Sequence, residues 1–176
     1  EILVLNQISY DQSGGLAVAK GEPGQSGRRF AEKYLAISQA EGLKPLAYQT
    51  FMAPVNTGVS SGHDLDNSGQ VVSSVNEAGG GKGYAGDWWG YGEFHGQYGM
   101  ALLVREGIEI LKDQARTFQT LRWSQMPDAL RPVDPETHES WYSDEEWGSL
   151  RLSSKSHWDV PVRLADGTVI HLLCSH

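Results

Sequence analysis

A mixed α+β domain with mainly antiparallel strands is the fold class this sequence predicts, and three observations predict it. Strand-like segments outnumber helical ones along the chain. The sharpest local signal is a hairpin, two strand-like runs flanking Ala165-Asp166-Gly167. A length of 176 residues, 39% of them apolar, supports a single real core.

Taken in order, Ile2-Leu3-Val4-Leu5 is apolar on both faces and reads as a central buried strand. Residues 11–27 are rich in Gly, Ser and Gln and read as a loop. Over residues 28–40, Phe30, Ala31, Tyr34, Leu35 and Ile37 recur at helical spacing, which predicts an amphipathic helix laid on a sheet and stopped by Gly42. Residues 46–52 follow as a strand, ended by Pro54. A long stretch to Gly96 has little periodicity of either kind, and loops of that length are commonly functional. Strands are expected again at 100–104 and 117–123, and residues 127–139, with Pro127, Pro132 and Pro135, are irregular. Ser143 followed by Asp144, Glu145 and Glu146 marks an N-cap and an acidic first turn of a short helix. The hairpin strands cover 158–164 and 168–174, and Cys174, the lone cysteine, sits in an apolar run as a core residue.

Composition removes several functions. The chain carries 22 acidic against 14 basic residues, a net charge of −8, which argues against passive binding to phosphate backbones. Its longest apolar runs fall far short of the roughly 20 residues of a membrane span. One cysteine rules out an internal disulfide and a cysteine-based zinc site. No His-Glu-x-x-His, Gly-x-Ser-x-Gly or Walker motif occurs, and Gly90, Gly92 and Gly96 miss the dinucleotide spacing by one residue. Because apolar strands start at the first residues and stop at the last, the chain also reads as a piece of a longer protein, truncated at both ends.

Three groups of residues could carry chemistry. Strand alternation puts Lys155, His157 and Asp159 on one face, a row that could meet an anionic substrate or could simply be a solvated sheet face. On the partner strand the same alternation delivers His176 to the end of an apolar row, either as a site residue or as an ordinary surface histidine. Asp64, Asp66 and Ser68, with Gly69 next, place oxygens at positions 1, 3 and 5 of a calcium-loop pattern. Val75 stands where that pattern has its bidentate Glu, and Glu77 comes two residues late, so the alternative is an Asx-rich turn. Residues 79–99 mix glycines with Trp88, Trp89, Tyr91, Phe94 and Tyr98, a composition suited to a ligand pocket or to a loop pinned by aromatic contacts.

Several blocks in order resemble the endonuclease/exonuclease/phosphatase superfamily, the deoxyribonuclease-like fold, and in particular a bacterial branch of it. They are Ile2-Leu3-Val4-Leu5-Asn6-Gln7 with Tyr10-Asp11, Ala53-Pro54-Val55-Asn56-Thr57-Gly58, Ser61-Gly62-His63-Asp64-Leu65, Gly96-Gln97-Tyr98-Gly99-Met100, Arg116-Thr117-Phe118-Gln119, and residues 152–162 and 172–176. The resemblance implies part of a four-layer αββα sandwich and a divalent-metal-dependent phosphoesterase, with Mg2+ or a similar ion polarising a phosphoryl oxygen. By it, His176 contacts the scissile phosphate, His157 and Asp159 lie on the neighbouring strand, and Asn6, Lys155, Gln97 and Tyr98 contact substrate. Gln7 stands where the family has a metal-binding Glu, and an amide lacks the charge that holds a hard dication. The family's other motifs would lie outside residues 1–176, so the chain would hold about half of a site. A small phosphoester is the implied substrate over nucleic acid, given the acidic balance, and the resemblance points to a secreted or periplasmic parent. Two other functions stay open: a non-catalytic ligand- or partner-binding relative, and a structural module stabilised by Ca2+ at the 64–69 loop.

Overall fold

The computed structural model describes residues 1–10, 23–74 and 82–176. In chain order its elements are β1 (Ile2–Asn6), α1 (Ser26–Phe30) running into a π-helical turn (Ala31–Leu35), β2 (Tyr48–Phe51) and β3 (Val59–Ser60). A 3-10 turn (Lys82–Asp87) leads into β4 (Trp88–Gly90), followed by β5 (Met100–Arg105), β6 (Glu109–Ile110) and β7 (Arg116–Thr117). The helix α2 (Asp144–Ser149) and the hairpin strands β8 (His157–Arg163) and β9 (Val169–Ser175) complete it. The predicted loop over 11–27 lies mostly outside the described residues, as do Asp11 of the first motif block, Val75, Glu77 and Gly79.

Alternation along β5 organises these elements into layers. Met100, Leu102 and Val104 face one way and join Trp158, Val160, Val162 and Cys174 in one cluster, while Ala101 and Leu103 face the other way and meet Ala31, Phe30 and Leu35. The β1-β5-β2 sheet therefore lies between a helix and a second sheet, in which β6 and β7 share one edge of β8 and β9 takes the other. All sheet pairings among the named strands are antiparallel, and the class is α+β. No described helix is long and apolar enough to cross a membrane.

The structure changes several sequence expectations. β5, not β1, is the central strand; β1 pairs only with β5 among the described residues, and Val4 is 43% exposed. Its two apolar faces are explained by contact on both sides, Ile2 toward the second sheet and Leu3 and Leu5 toward the helix. The predicted helix begins at Ser26 and ends early, because at Ala36 the backbone bonds to Ala31 five residues back and then turns away. Of the expected 117–123 strand only Thr117 pairs in β7, with Arg116 before it. Leu121 closes a turn onto Phe118, and Trp123–Gln125 winds into a 3-10 turn.

Two local signals give the structure they predict. Ser143 accepts from the Glu146 N–H while the Glu146 carboxylate accepts from the Ser143 N–H, a reciprocal cap at the start of α2. In the hairpin, Leu164 and Thr168 close a three-residue loop with Gly167 at φ +86°, so the Asp-Gly pair serves a bulged turn, not a two-residue one. Cys174 is buried, as its apolar neighbours predict.

The layering sets an expected contrast in urea unfolding. Leu102→Ala leaves a cavity between the two sheets and should cost about 2 to 5 kcal/mol. Leu173→Ala, on the outer face of β9 and 81% exposed, should change stability by no more than about 0.5 kcal/mol. Equal losses at the two positions would contradict the assignment of the buried faces.

Candidate functional site

One buried asparagine and one glycine fix the loops around a cleft beside the ends of β1 and β9. Asn56 donates its side-chain amide to the carbonyls of Gln119 (2.7 Å) and Ser153 (2.8 Å), while its backbone N–H bonds to the Lys155 carbonyl (2.9 Å). Two distant loops are thereby tied beside Lys155. Gly58 sits at φ +70°, and a Cβ there would overlap the Phe94 carbonyl, so only glycine allows the 54–58 and 94–99 segments to approach this closely. Thr57 donates to the Gln97 carbonyl and accepts from the Gly96 N–H at 3.0 Å.

Against that frame three side chains converge. Gln7, just past the end of β1, and His176, just past β9, are 169 residues apart in sequence, yet the Gln7 amide nitrogen lies 3.3 Å from His176 Nε2. Lys155 Nζ contacts the other imidazole nitrogen, Nδ1. Gln7, Thr57, Tyr91, Tyr98, Ser154 and Lys155 line a cleft of about 310 Å³. The rings of Tyr91 and Tyr98 stack at 6.1 Å. Gln7 and Tyr98 both have left-handed backbones, φ +63° and +58°, a conformation that costs a non-glycine residue energy and is found where surroundings over-determine it.

The proton arrangement follows from Lys155. As an ammonium it can only donate, so Nδ1 of His176 accepts and the neutral ring carries its proton on Nε2. Two donors cannot face one another, so the Gln7 amide is satisfied with its oxygen toward Nε2–H and its NH2 turned away. Burial pulls the Lys155 ammonium below its ordinary pKa. The cleft thus offers amide, ammonium and hydroxyl donors, and none of its lining residues is a carboxylate. A magnesium-like ion requires oxygen ligands and carboxylate charge. Gln7, Lys155 and His176 do not fit it.

The remaining sequence candidates divide between supports and separate clusters. Asn6 ends β1 opposite Met100 and is exposed. The Gln97 side-chain oxygen accepts from the Glu93 N–H at 2.7 Å, which holds the loop that carries Tyr98. The expected row of Lys155, His157 and Asp159 is broken up, because Lys155 precedes β8 and reaches to His176. His157 is half-buried opposite Ser175. Asp159 is buried between Arg116, whose Nε donates at 3.1 Å, and His171, whose Nδ1 lies at 2.6 Å. Neither Arg116 nor His171 stands out as a partner in the sequence, since each reaches Asp159 from a neighbouring strand.

A third cluster adds a residue the 64–69 pattern does not contain. Asp87 is fully buried, and its carboxylate accepts from Leu65 N (2.8 Å) and Val72 N (2.7 Å). Oxygens of Asp64, Asp66 and Asp87 lie within 4.8 Å of one another and could hold a cation. Ser68 faces the loop as a donor, its hydroxyl 3.3 Å from Asp64 and 3.2 Å from the Gln70 carbonyl. Burial works against ionisation of Asp64, but backbone hydrogen bonds from Gly69 and Ser68 outweigh it and hold the carboxyl below its usual value. These bonds close the loop, and the Ser68 N–H to Asp66 at 3.1 Å forms an Asx turn within it.

No protein-family model, no curated protein and no solved structure matches the chain.

The Asp159 cluster gives a pH test. Hydrogen bonds from Arg116 and His171 hold its carboxyl below the ordinary 3.8, so its stabilisation is fully present above that value and is lost as pH falls through the folded-state pKa. Asp159→Asn should therefore lie well below the parent in stability at neutral pH, and the gap should begin to narrow only below about pH 4 and close below the folded-state pKa. Chemical denaturation across that range measures it, and a constant gap would remove the cluster from the acid response.

Proposed function

We propose that this chain recognises the phosphoryl group of a small phosphoester in the Gln7–Lys155–His176 cleft, as the phosphate-holding part of a phosphoesterase-type site. The meeting of Gln7 and His176 from opposite ends of the chain, with Lys155 on the same imidazole, carries the reading. A tetrahedral oxyanion presents acceptors on every side and negative charge. The cleft meets it with the Lys155 ammonium, the outward NH2 of Gln7 and the Tyr98 hydroxyl. An anion beside Lys155 also compensates an ammonium that burial disfavours.

Between hydrolysis and binding without turnover, the donor set favours binding. Phosphoryl transfer needs an aligned water and neutralisation of charge on both attacking and leaving oxygens. In the metal-dependent reading that work falls to an ion held by residues other than Gln7, with His176 at the phosphate and His157 and Asp159 beside it. The αββα arrangement belongs to the same reading, and its further helical layer would cover the outer face of the β8–β9 hairpin, where Leu173 stands exposed.

Inorganic phosphate and p-nitrophenyl phosphate are the probes. Phosphate titrated without metal should shift the His176 ring resonances with millimolar affinity, about 4 kcal/mol. Lys155→Met, which keeps the bulk and removes the charge, should weaken that binding by roughly 10-fold or more. Gln7→Glu should pair with Lys155, weaken phosphate binding and leave p-nitrophenyl phosphate intact with or without magnesium. Magnesium-dependent hydrolysis, raised by Gln7→Glu, would overturn the binding reading in favour of the metal-dependent enzyme.

A second reading, a calcium-stabilised module, draws on the arrival of Asp87 beside Asp64 and Asp66. On it, calcium at 100 times its Kd should add about 2.7 kcal/mol of stability, and Asp66→Asn should abolish that gain. An unchanged melting temperature in calcium leaves the loop as a turn.

A further inference from the structure

An uneven charge distribution coincides with the most exposed large apolar side chain among the described residues, Leu130. Residues 123–150 contain seven acidic side chains against one basic, Arg131, a net of −6 within a chain of −8. In the same stretch Leu130 is 89% and Val133 55% exposed, with Trp123 and Met126 also among the exposed large side chains. Scattered surface apolar residues need no explanation, but a grouped set beside a cleft in a segment of one sign of charge does.

Trp123, Leu130, Pro132, Tyr142, Trp147 and Leu150 line that cleft, of about 240 Å³. Its walls are fixed by backbone bonds, Trp123 N to the Leu150 carbonyl and Trp141 N to the Pro132 carbonyl, both 3.0 Å. Arg131 donates to Asp144 at 2.6 Å and to the Tyr142 carbonyl, so the one cation of the segment is spent on holding the wall. Asp128, Glu136, Glu139 and Glu145, in the same segment as the lining residues, remain exposed. Trp141 donates its indole N–H to the Leu65 carbonyl at 3.0 Å, which anchors the segment to the rest of the domain. The cleft is therefore preformed and costs little ordering to fill.

We propose that this cleft docks a basic peptide segment of a partner protein, which inserts one apolar side chain between Trp123, Leu130 and Trp147 and sets flanking Lys or Arg residues against the acidic rim. Charge decides the occupant. A second copy would bring two faces of −6 together, and an anionic lipid surface or nucleic acid would be repelled in the same way. Aromatic walls suit an aliphatic or cationic stem, and the exposed carboxylates supply steering. This surface is separate from the phosphate cleft and does not depend on it.

The probe is a fluorescein-labelled octapeptide, Lys-Lys-Arg-Pro-Leu-Arg-Lys-Lys, titrated with the full 176-residue chain at low and moderate salt. Saturable binding should weaken with salt and fall at least fivefold for Leu130→Ser, whose exposed position leaves folding intact. Glu136→Lys combined with Glu139→Lys should lower both the affinity and its salt dependence. A peptide with Gly in place of Leu should bind at least fivefold more weakly, and one with Glu in place of its basic residues should not bind. Phosphate binding at His176 should be unchanged in Leu130→Ser. Any of three results overturns the proposal: no saturable binding, equal binding of the Gly-substituted peptide, or a dimer in sedimentation that Leu130→Ser dissolves.

Discussion

Both faces of β5 are buried, and the rest of the domain is arranged by that fact. Five consecutive residues, Met100 to Val104, have no exposed surface. A strand in that position cannot turn either face to water, so it requires a helix on one side and a sheet on the other. Leu102 and its neighbours set where the β8–β9 hairpin must lie, and Ala101 and Leu103 set where the helix lies. Small Ala101 matters as much as the larger residues, because Gly27 of α1 packs directly over it, and a Cβ added there would come within 3.1 Å of the Ala101 methyl.

The Gln7–Lys155–His176 cleft inherits its geometry from this packing. Gln7 and His176 meet because β1 lies on one sheet, β9 on the other, and the two sheets are held face to face by a single apolar cluster. The strained backbones of Gln7 and Tyr98 are tolerated because the neighbouring segments are pinned, Ile8 N to Gly99 O at 3.2 Å and Tyr10 N to Gly96 O at 2.8 Å. Lys155 is positioned through its backbone by Asn56, a residue with no contact to the cleft's ligand groups of its own. Carboxylates elsewhere are used differently. Asp159 neutralises Arg116 on the outer sheet face, and Asp87 satisfies backbone N–H groups in the interior, so neither lends its charge to the cleft.

Acidity is also segregated by structure. The chain's net charge is concentrated in residues 123–150, none of which lines the donor-rich cleft. A net charge of −8 therefore describes neither surface. One collects cationic and neutral donors and suits an oxyanion, while the other collects carboxylates around an apolar slot and suits a basic segment.

Much of the local structure is legible in the sequence because it depends on neighbours a few residues away. Ser143 and Glu146 are three apart and define their own cap; Asp166-Gly167 defines its own turn; the alternation from Trp158 to Val162 and from Ile170 to Cys174 defines which face is apolar. Positions 64, 66 and 68 likewise show an oxygen-bearing turn. Whether a strand is central or at an edge is not local, since Ile2-Leu3-Val4-Leu5 is as apolar as Met100 to Val104 and only pairing partners distinguish them. The same limit hides Asp87 beside Asp64, Arg116 and His171 around Asp159, and the proton order that turns the Gln7 amide away from any ion. Those contacts join residues 12 to 169 positions apart, and their existence is decided by how the sheets stack, a property of the whole chain's packing and not of any window within it.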